Sequence, residues 1–341
     1  MQSYENKINK LFYNWLLMSF IMIFFMIIIG GLTRLTNSGL SITEWELFSG
    51  ILPPMSKNKW DDYFLLYKQI PQYKLLFNEM TLDQFKIIFY WEYFHRILGR
   101  IIGLFFMIPL IFFFFNKKIH SKYLLICYFI FGLIVAQGFV GWYMVKSGLV
   151  NDITVSHYRL SLHLSIAILI TTLIFWVLIN LKNNTFKNFF DNKKNNYIYL
   201  ILISFIFCQI VLGAFVSGLD AGKVYQTWPL MNYGYFPDDL EILSIKDLLN
   251  FENHSLIQFY HRNLAYFIVI YSLVLGYYII KNKIKKVIKA YFFLFSVIII
   301  QIFLGIMTLL TDLNIYIASA HQITSVLLIL SAVNLYYYHI K

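Results

Sequence analysis

Residues 15–32 read WLLMSFIMIFFMIIIGGL, a stretch with one serine, two glycines and no charge. Wound as an α-helix, a run of that length crosses the roughly 30 Å hydrocarbon core of a bilayer. A helix on the surface of a water-soluble domain keeps polar residues along one face, and this stretch has none to put there. Working outward, seven further runs follow, at residues 90–115, 122–145, 157–181, 197–218, 256–280, 287–310 and 315–338. Residues 21–29, 108–115 and 297–302 are apolar on every side, which excludes the alternating polarity of a membrane β-barrel strand. The predicted fold class is an all-α integral membrane protein with eight transmembrane helices.

Composition agrees. Of 341 residues, 59% are hydrophobic, 20% aromatic and 13% charged, with a mean hydropathy of +0.64. A soluble globule could not cover so much apolar side chain. The net charge of +11 comes from lysines in the short connections. Lys7 and Lys10, then Lys117, Lys118 and Lys122, then Lys182, Lys187, Lys193 and Lys194, then Lys281, Lys283, Lys285, Lys286 and Lys289 share one side if the spans alternate. Retained positive charge marks the cytoplasmic side, so both termini are expected there and no nucleic-acid partner is expected. The long connections, residues 33–89 and 219–255, fall on the opposite side. The second holds Asp220, Asp238, Asp239, Glu241, Asp247 and Glu252 against Lys223 and Lys246. The first fifteen residues contain Glu5 and lack the Arg-rich, acid-free character of a mitochondrial presequence. The run after them is too long for a signal-peptide core, so it is expected to stay as an anchor. Cys127 and Cys208 each fall inside an apolar run, without metal-ligand spacing, and are expected to fill the core.

The chain also repeats itself. Gln137-x-x-x-Gly141, Gln209-x-x-x-Gly213 and Gln301-x-x-x-Gly305 occupy like positions in their spans, and the first span ends in Gly30-Gly31. His95-Arg96 and His261-Arg262 open the second and sixth spans, while His163 and His321 lie near the starts of the fourth and eighth. Two pseudo-symmetric four-helix bundles, residues 1–188 and 189–341, packed about an axis along the membrane normal, account for these recurrences.

His120, His254 and His339 lie in connections or tails and His157 at a helix mouth, which leaves four histidines within spans. All four spans run inward, so the imidazoles of His95, His163, His261 and His321 are expected one to two turns below the outer surface. One such histidine is accounted for by a bond across helices to Gln137, Gln301 or a serine. Four in two matched pairs call for a ligand, and haem iron held between histidines of two helices is the cofactor that fits a bundle core. Zinc or copper needs a further Cys or His at helical spacing, and neither half supplies one. Gly99, Ala167, Ala265 and Ser325, each four residues past a histidine, leave room for a porphyrin, although helix packing alone explains Gly99 and Gly103 equally well. Arg96, Arg159 and Arg262 either pair with haem propionates or snorkel to headgroups. Glu92, three residues before His95, shares its helical face. Its counterpart before His261 is Gln258, which cannot exchange a proton. Glu92 either pairs structurally with Arg96 or handles protons in a catalytic half beside an electron-accepting half.

These residues resemble a known family. Residues 30–45 (GGLTRLTNSGLSITEW), Pro53-Pro54 and residues 92–100 (EYFHRILGR) look like the first half of a haem A synthase of the eight-helix type shared by proteobacteria and mitochondria. Ala221-Gly222, residues 227–231 (TWPLM), residues 258–266 (QFYHRNLAY), Gln301-x-x-Leu-Gly305 and His321-Gln322 are similar to its second half. The resemblance covers nearly the whole chain. It implies oxidation of the C8 methyl group of haem O to a formyl group by successive hydroxylations through a hydroxymethyl intermediate, with water as the oxygen source, to give haem A for terminal cytochrome oxidase. It also implies that His261 and His321 are axial ligands of a resident haem b, that His95 and His163 face the substrate haem iron, and that Glu92 is catalytic. Haem O synthase, the protohaem farnesyltransferase, is the implied neighbour in supply. A bacterial inner membrane is the expected location, with membrane lipid as the remaining partner. One branch of the family carries a cysteine pair in the first long connection, and this chain has none there. Trp45, Trp60, Tyr63 and Trp228 in the long connections are either lids over the haem pockets or interfacial aromatic belts. The alternatives to the synthase are a dihaem b-type electron carrier, which keeps both haems unchanged, and a transporter with parallel repeats.

Overall fold

The computed structural model describes residues 2–44, 49–116, 119–149, 153–190 and 196–340; Trp45, Lys117, Lys118, Lys193 and Lys194 lie outside them. In chain order the helices are α1 (Gln2–Leu35), α2 (Lys57–Tyr67), α3 (Pro71–Leu76), α4 (Leu82–Asn116), α5 (Ser121–Gly148), α6 (His157–Lys182), α7 (Tyr197–Gly218), α8 (Ile245–Leu248), α9 (His254–Lys281), α10 (Lys285–Leu310) and α11 (Ile315–His339). Among the described residues eight of them, α1, α4, α5, α6, α7, α9, α10 and α11, are long and apolar enough to cross a membrane. Helix α4 shows why the solvent must be lipid. Ile102, Phe106, Leu110 and Phe113 are buried, yet Ile101, Leu104, Ile108, Ile111, Phe112 and Phe115 on its other side are exposed. Both faces are apolar, a pattern of membrane helices. The protein is a multi-pass membrane protein.

The chain divides into two compact units, Met1–Leu178 and Ile179–Lys341. In the first, α4 packs against α1, α5 and α2. Pro109 lies inside α4 and has no N–H to give the carbonyl of Phe105, one turn earlier. The indole of Trp15 on α1 donates to that carbonyl at 3.1 Å, so the neighbouring helix satisfies what proline leaves open. In the second unit α10 packs on α11 and α9, and α7 on α9 and α11. Tyr291 of α10 donates to the Ser272 carbonyl of α9 at 3.1 Å. Gly276 permits this approach, since a Cβ there would stand 1.9 Å from the tyrosine oxygen.

Six of the eight spans begin and end within three residues of the sequence expectation; the helix of α1 starts near the chain terminus, and α4 begins eight residues early. A reciprocal cap starts α4: Thr81 N–H donates to Gln84 Oε1 at 2.9 Å and Gln84 N–H to Thr81 Oγ at 3.4 Å. Its added turns carry Phe85, Ile88 and Phe89 into a buried cluster with Leu40, Ile42, Trp60, Phe64, Tyr67 and Ile70 of the first long connection. Trp60 meets Phe89 edge-on at 4.9 Å and belongs to that packed cap. His254 opens α9 instead of lying in the connection before it. Cys127 is buried, but Cys208 is exposed. Leu202, Ile206 and Ile210 form the inward stripe of α7, and Cys208 faces away from it, contrary to the expectation of core packing.

Replacing Trp15 with Phe is expected to lower the thermal stability of the detergent-purified protein by about 1–3 kcal/mol, because the Phe105 carbonyl is left without a donor. In a Pro109→Ala background, where the backbone N–H returns, the same change should cost much less. Paired melting curves of the four proteins check both statements.

Candidate functional site

Each unit holds one imidazole pair. The rings of His95 on α4 and His163 on α6 have centroids 6.5 Å apart with planes at 49°. Those of His261 on α9 and His321 on α11 are 6.4 Å apart at 79°. His163, His261 and His321 lie about two turns into their helices, and His95 deeper in α4 because of its early start. Two imidazoles on opposite sides of one metal, at bonds of about 2.0–2.1 Å, put their ring centroids roughly 6 Å apart. Both separations fit that requirement. Among the described residues no group of three or more His, Cys, Asp or Glu side chains gathers to hold a metal ion, so each donor set is two imidazoles. That is a donor set of haem iron.

A common device seats the rings. Each imidazole lies against a glycine of the preceding long helix. A Cβ at Gly30 would stand 3.2 Å from His95 Nε2, and at Gly141, Gly213 and Gly305 it would stand 3.1, 3.1 and 2.9 Å from Cε1 of His163, His261 and His321. One turn before the glycine, Gln137, Gln209 and Gln301 donate through Nε2 to the backbone carbonyls of His163, His261 and His321, at 2.9, 2.9 and 3.1 Å. The glycine clears space for the ring, and the amide ties the two helices together at the histidine itself. Helix α1 lacks the amide: Met26 stands one turn before Gly30, with Cε 3.4 Å from where a Cβ on Gly99 would be. Nδ1 of His321 also donates to the Gln301 carbonyl at 3.1 Å. That bond directs the ring, while the Gln301 amide also lies 3.5 Å from Nε2.

The units differ beside the first histidine of each pair. Glu92 is 2% exposed. Its Oε1 accepts from Arg96 Nη2 at 2.5 Å, while Oε2 accepts from Ser41 Oγ at 2.7 Å and from the Ile42 N–H at 2.9 Å. Arg96 also donates to the Ile42 carbonyl at 3.0 Å. The pairing of Glu92 with Arg96, one of the two alternatives for this acid, is therefore present. Gln258, equally buried, donates through Nε2 to the Tyr225 carbonyl at 2.8 Å. Arg262 donates to that carbonyl at 2.9 Å and to the Leu230 carbonyl at 3.3 Å. Its Nε is buried without a hydrogen-bond partner, a group that a carboxylate such as a propionate would satisfy. Arg159 donates to Ser147 Oγ and lies 4.8 Å over the Tyr143 ring.

The connections that meet these side chains are ordered by their own bonds. Tyr67 donates to Gln72 Oε1 at 2.9 Å. Burial, then the charge of Glu92 and the neighbouring Tyr73, push its hydroxyl above the ordinary phenol range, so it stays a donor. Tyr225 donates to the carboxylates of Asp238 and Asp239. Burial first, then those bonds, raise its hydroxyl in the same way. Trp228 Nε1 donates to Tyr266 at 3.1 Å, which fastens the second connection to α9. Sequence reading did not single out the roles of Ser41, Ile42 and Tyr225. Ser41 and Ile42 stand inside the family-like stretch of residues 30–45, but bonds to a residue some fifty positions away leave no local signature.

Comparison with known proteins adds the remaining finding. The family described as cytochrome oxidase assembly protein matches residues 13–333. The chain is 48% identical over 321 residues to the heme A synthase of Pelagibacter ubique, covering 93% of both chains. It is 42% identical over 329 residues to the heme A synthase of Rickettsia felis, covering 94% of this chain and 96% of that one. To the heme A synthase of Flavobacterium psychrophilum it is 39% identical over 331 residues, covering 95% and 96%. With four span-borne histidines in two iron-sized pairs and similarity along almost its entire length, the chain belongs to the cytochrome oxidase assembly protein family that includes the haem A synthases.

Proposed function

We propose that this chain is a haem A synthase, a membrane enzyme of haem A biosynthesis that takes haem O as substrate and oxidises its C8 methyl group to a formyl group. The observation that carries the reading is the pair of imidazole pairs, each spaced for one iron, in a chain whose curated relatives are named heme A synthase over more than nine-tenths of their length. Those names do not favour the electron-carrier alternative. His261 and His321 would hold a resident haem b, and residues 189–341 form its half. His95 and His163 would face the iron of haem O in the half formed by residues 1–188, the two halves being related as pseudo-symmetric bundles. When bound, the resident haem would supply an acceptor that takes the two electrons of each hydroxylation one at a time and passes them to an external oxidant.

The chain's own residues supply position and proton handling. Each hydroxylation with water as oxygen source releases two protons and two electrons. Glu92 is the acid placed to accept a proton or to stabilise positive charge at the reacting carbon. Gln258 has no such capacity, which assigns the oxidation to the first half. Arg96 and Arg262 each brace a long connection over their histidine, and Arg262 Nε is free to meet a propionate. Arg159, bonded to Ser147, would be a further candidate to meet a propionate. The reading includes a bacterial inner membrane with both termini cytoplasmic, lipid around the apolar faces, and haem O synthase as a neighbour for substrate delivery.

Three outcomes test this reading. Membranes of cells that make haem O, analysed by extraction and chromatography of their haems, should contain formyl haem only when this chain is expressed. His261→Ala should abolish the absorbance of the haem that co-purifies with the protein while the chain still inserts. Glu92→Gln should lower turnover by about 10²–10⁴-fold while that absorbance is retained, as measured by haem O consumption and difference spectra on the same preparation.

A further inference from the structure

The long connections meet the residue before each first histidine with opposite polarity. In the first unit the backbone of Ile42 turns its N–H toward Glu92 Oε2, and Ser41 adds a hydroxyl donor. In the second unit the backbone of Tyr225 turns a carbonyl toward Gln258 Nε2. A carboxylate accepts and cannot donate, whereas an amide nitrogen donates only. A glutamine at position 92 could keep its Oε1 on the Ile42 N–H but would turn Nε2 toward Arg96, donor against donor, whereas a carboxylate at position 258 would face the Tyr225 carbonyl, acceptor against acceptor. With Arg96 on one oxygen and the connection on the other, the surroundings suit an ionised acid at position 92, and the Tyr225 carbonyl suits an amide at position 258.

Ser41 is 1% exposed, and its hydroxyl has two acceptors within reach: Glu92 Oε2 at 2.7 Å and the Ile88 carbonyl at 3.3 Å. A serine hydroxyl carries one proton and two lone pairs and can rotate. The Ile42 N–H is fixed by the backbone, and Arg96 bonds the other carboxylate oxygen.

We propose that Ser41 is a positioning residue for Glu92, a rotating hydroxyl that donates to Oε2 when the carboxylate is ionised and turns to the Ile88 carbonyl, accepting from Oε2, when Glu92 holds a proton. No bond to the substrate is involved. The proton that Glu92 takes is one of those released in the hydroxylation, and Ser41 keeps every buried polar group around Oε2 paired in both states. An unpaired buried group would otherwise oppose one state or the other. This proposal rests on the reading of Glu92 as the proton-handling residue.

The test is a double-mutant cycle with the full-length, haem-loaded protein. Ser41→Ala should reduce kcat by about 10- to 100-fold and leave KM for haem O unchanged. Ser41→Thr should restore most of it, and Ser41→Val, of the same shape without the hydroxyl, should not. In the Glu92→Gln background Ser41→Ala should cause no further loss, since the two act as a unit. Hydrogen exchange at the amide of Ile42 and the resident haem's absorbance should be unaltered in Ser41→Ala. Wild-type kcat in Ser41→Ala, additive losses in the double variant, equal activity of the Thr and Val variants, or lost protection at Ile42 would each overturn the proposal. Wild-type turnover in Glu92→Gln would instead overturn the assignment of Glu92, a separate and recognisable failure.

Discussion

An imidazole within the hydrocarbon layer has no water to bond, so its nitrogens must find another helix or a metal. The arrangement around the four span-borne histidines follows from this constraint. A glycine on the neighbouring helix lets the ring approach where a Cβ would stand about 3 Å from its nearest atom. A glutamine one turn away draws the two helices together by bonding the histidine's own carbonyl. Each ring is thereby held by its neighbouring helix at the spacing from its partner histidine that one metal requires. Helix packing and ligand placement are one and the same set of contacts.

His95 departs from this scheme in an informative way. Its neighbour α1 contributes Gly30 but offers Met26 in place of the glutamine, so apolar contact replaces the amide tie. The helix carrying His95 is braced from the other direction, by Glu92 and Arg96 bonding the first long connection at Ser41 and Ile42. That connection is itself a small packed body, with Trp60, Phe64 and Tyr67 seated on the early turns of α4. A charged brace near a membrane surface has to be shielded to be worth much, and the aromatic cap provides the shielding. The second unit makes the equivalent brace from neutral groups, Gln258 on the Tyr225 carbonyl.

The eight helices and the four histidines were legible in the chain because both are local signals: an apolar run long enough to span a bilayer, and an ionisable residue inside it. The Gln-x-x-x-Gly recurrence was legible as a repeat and Gln137 and Gln301 as partners for a span histidine, but not the glycine as the seat of the ring, since its meaning lies in the contact with another helix. The start of α4 was hidden because Asp83, Gln84 and Lys86 interrupt its apolar run, and these turns are stabilised by the Thr81–Gln84 cap and by packing against α2. Cys208 looked like core because in a bilayer the inward and outward faces of a helix are equally apolar, and hydropathy cannot tell them apart.

Membrane insertion, helix number and the presence of two histidine pairs are dictated by residue types along the line of the chain, whose cost in lipid is independent of what lies beside them. Which glycine faces which ring, how Trp15 repairs the carbonyl that Pro109 leaves open, and which polar groups surround Glu92 and Gln258 depend on residues up to ninety positions apart meeting in space. Such bonds add directional requirements that no period or composition encodes, and only the packed helices bring the donor and acceptor into register.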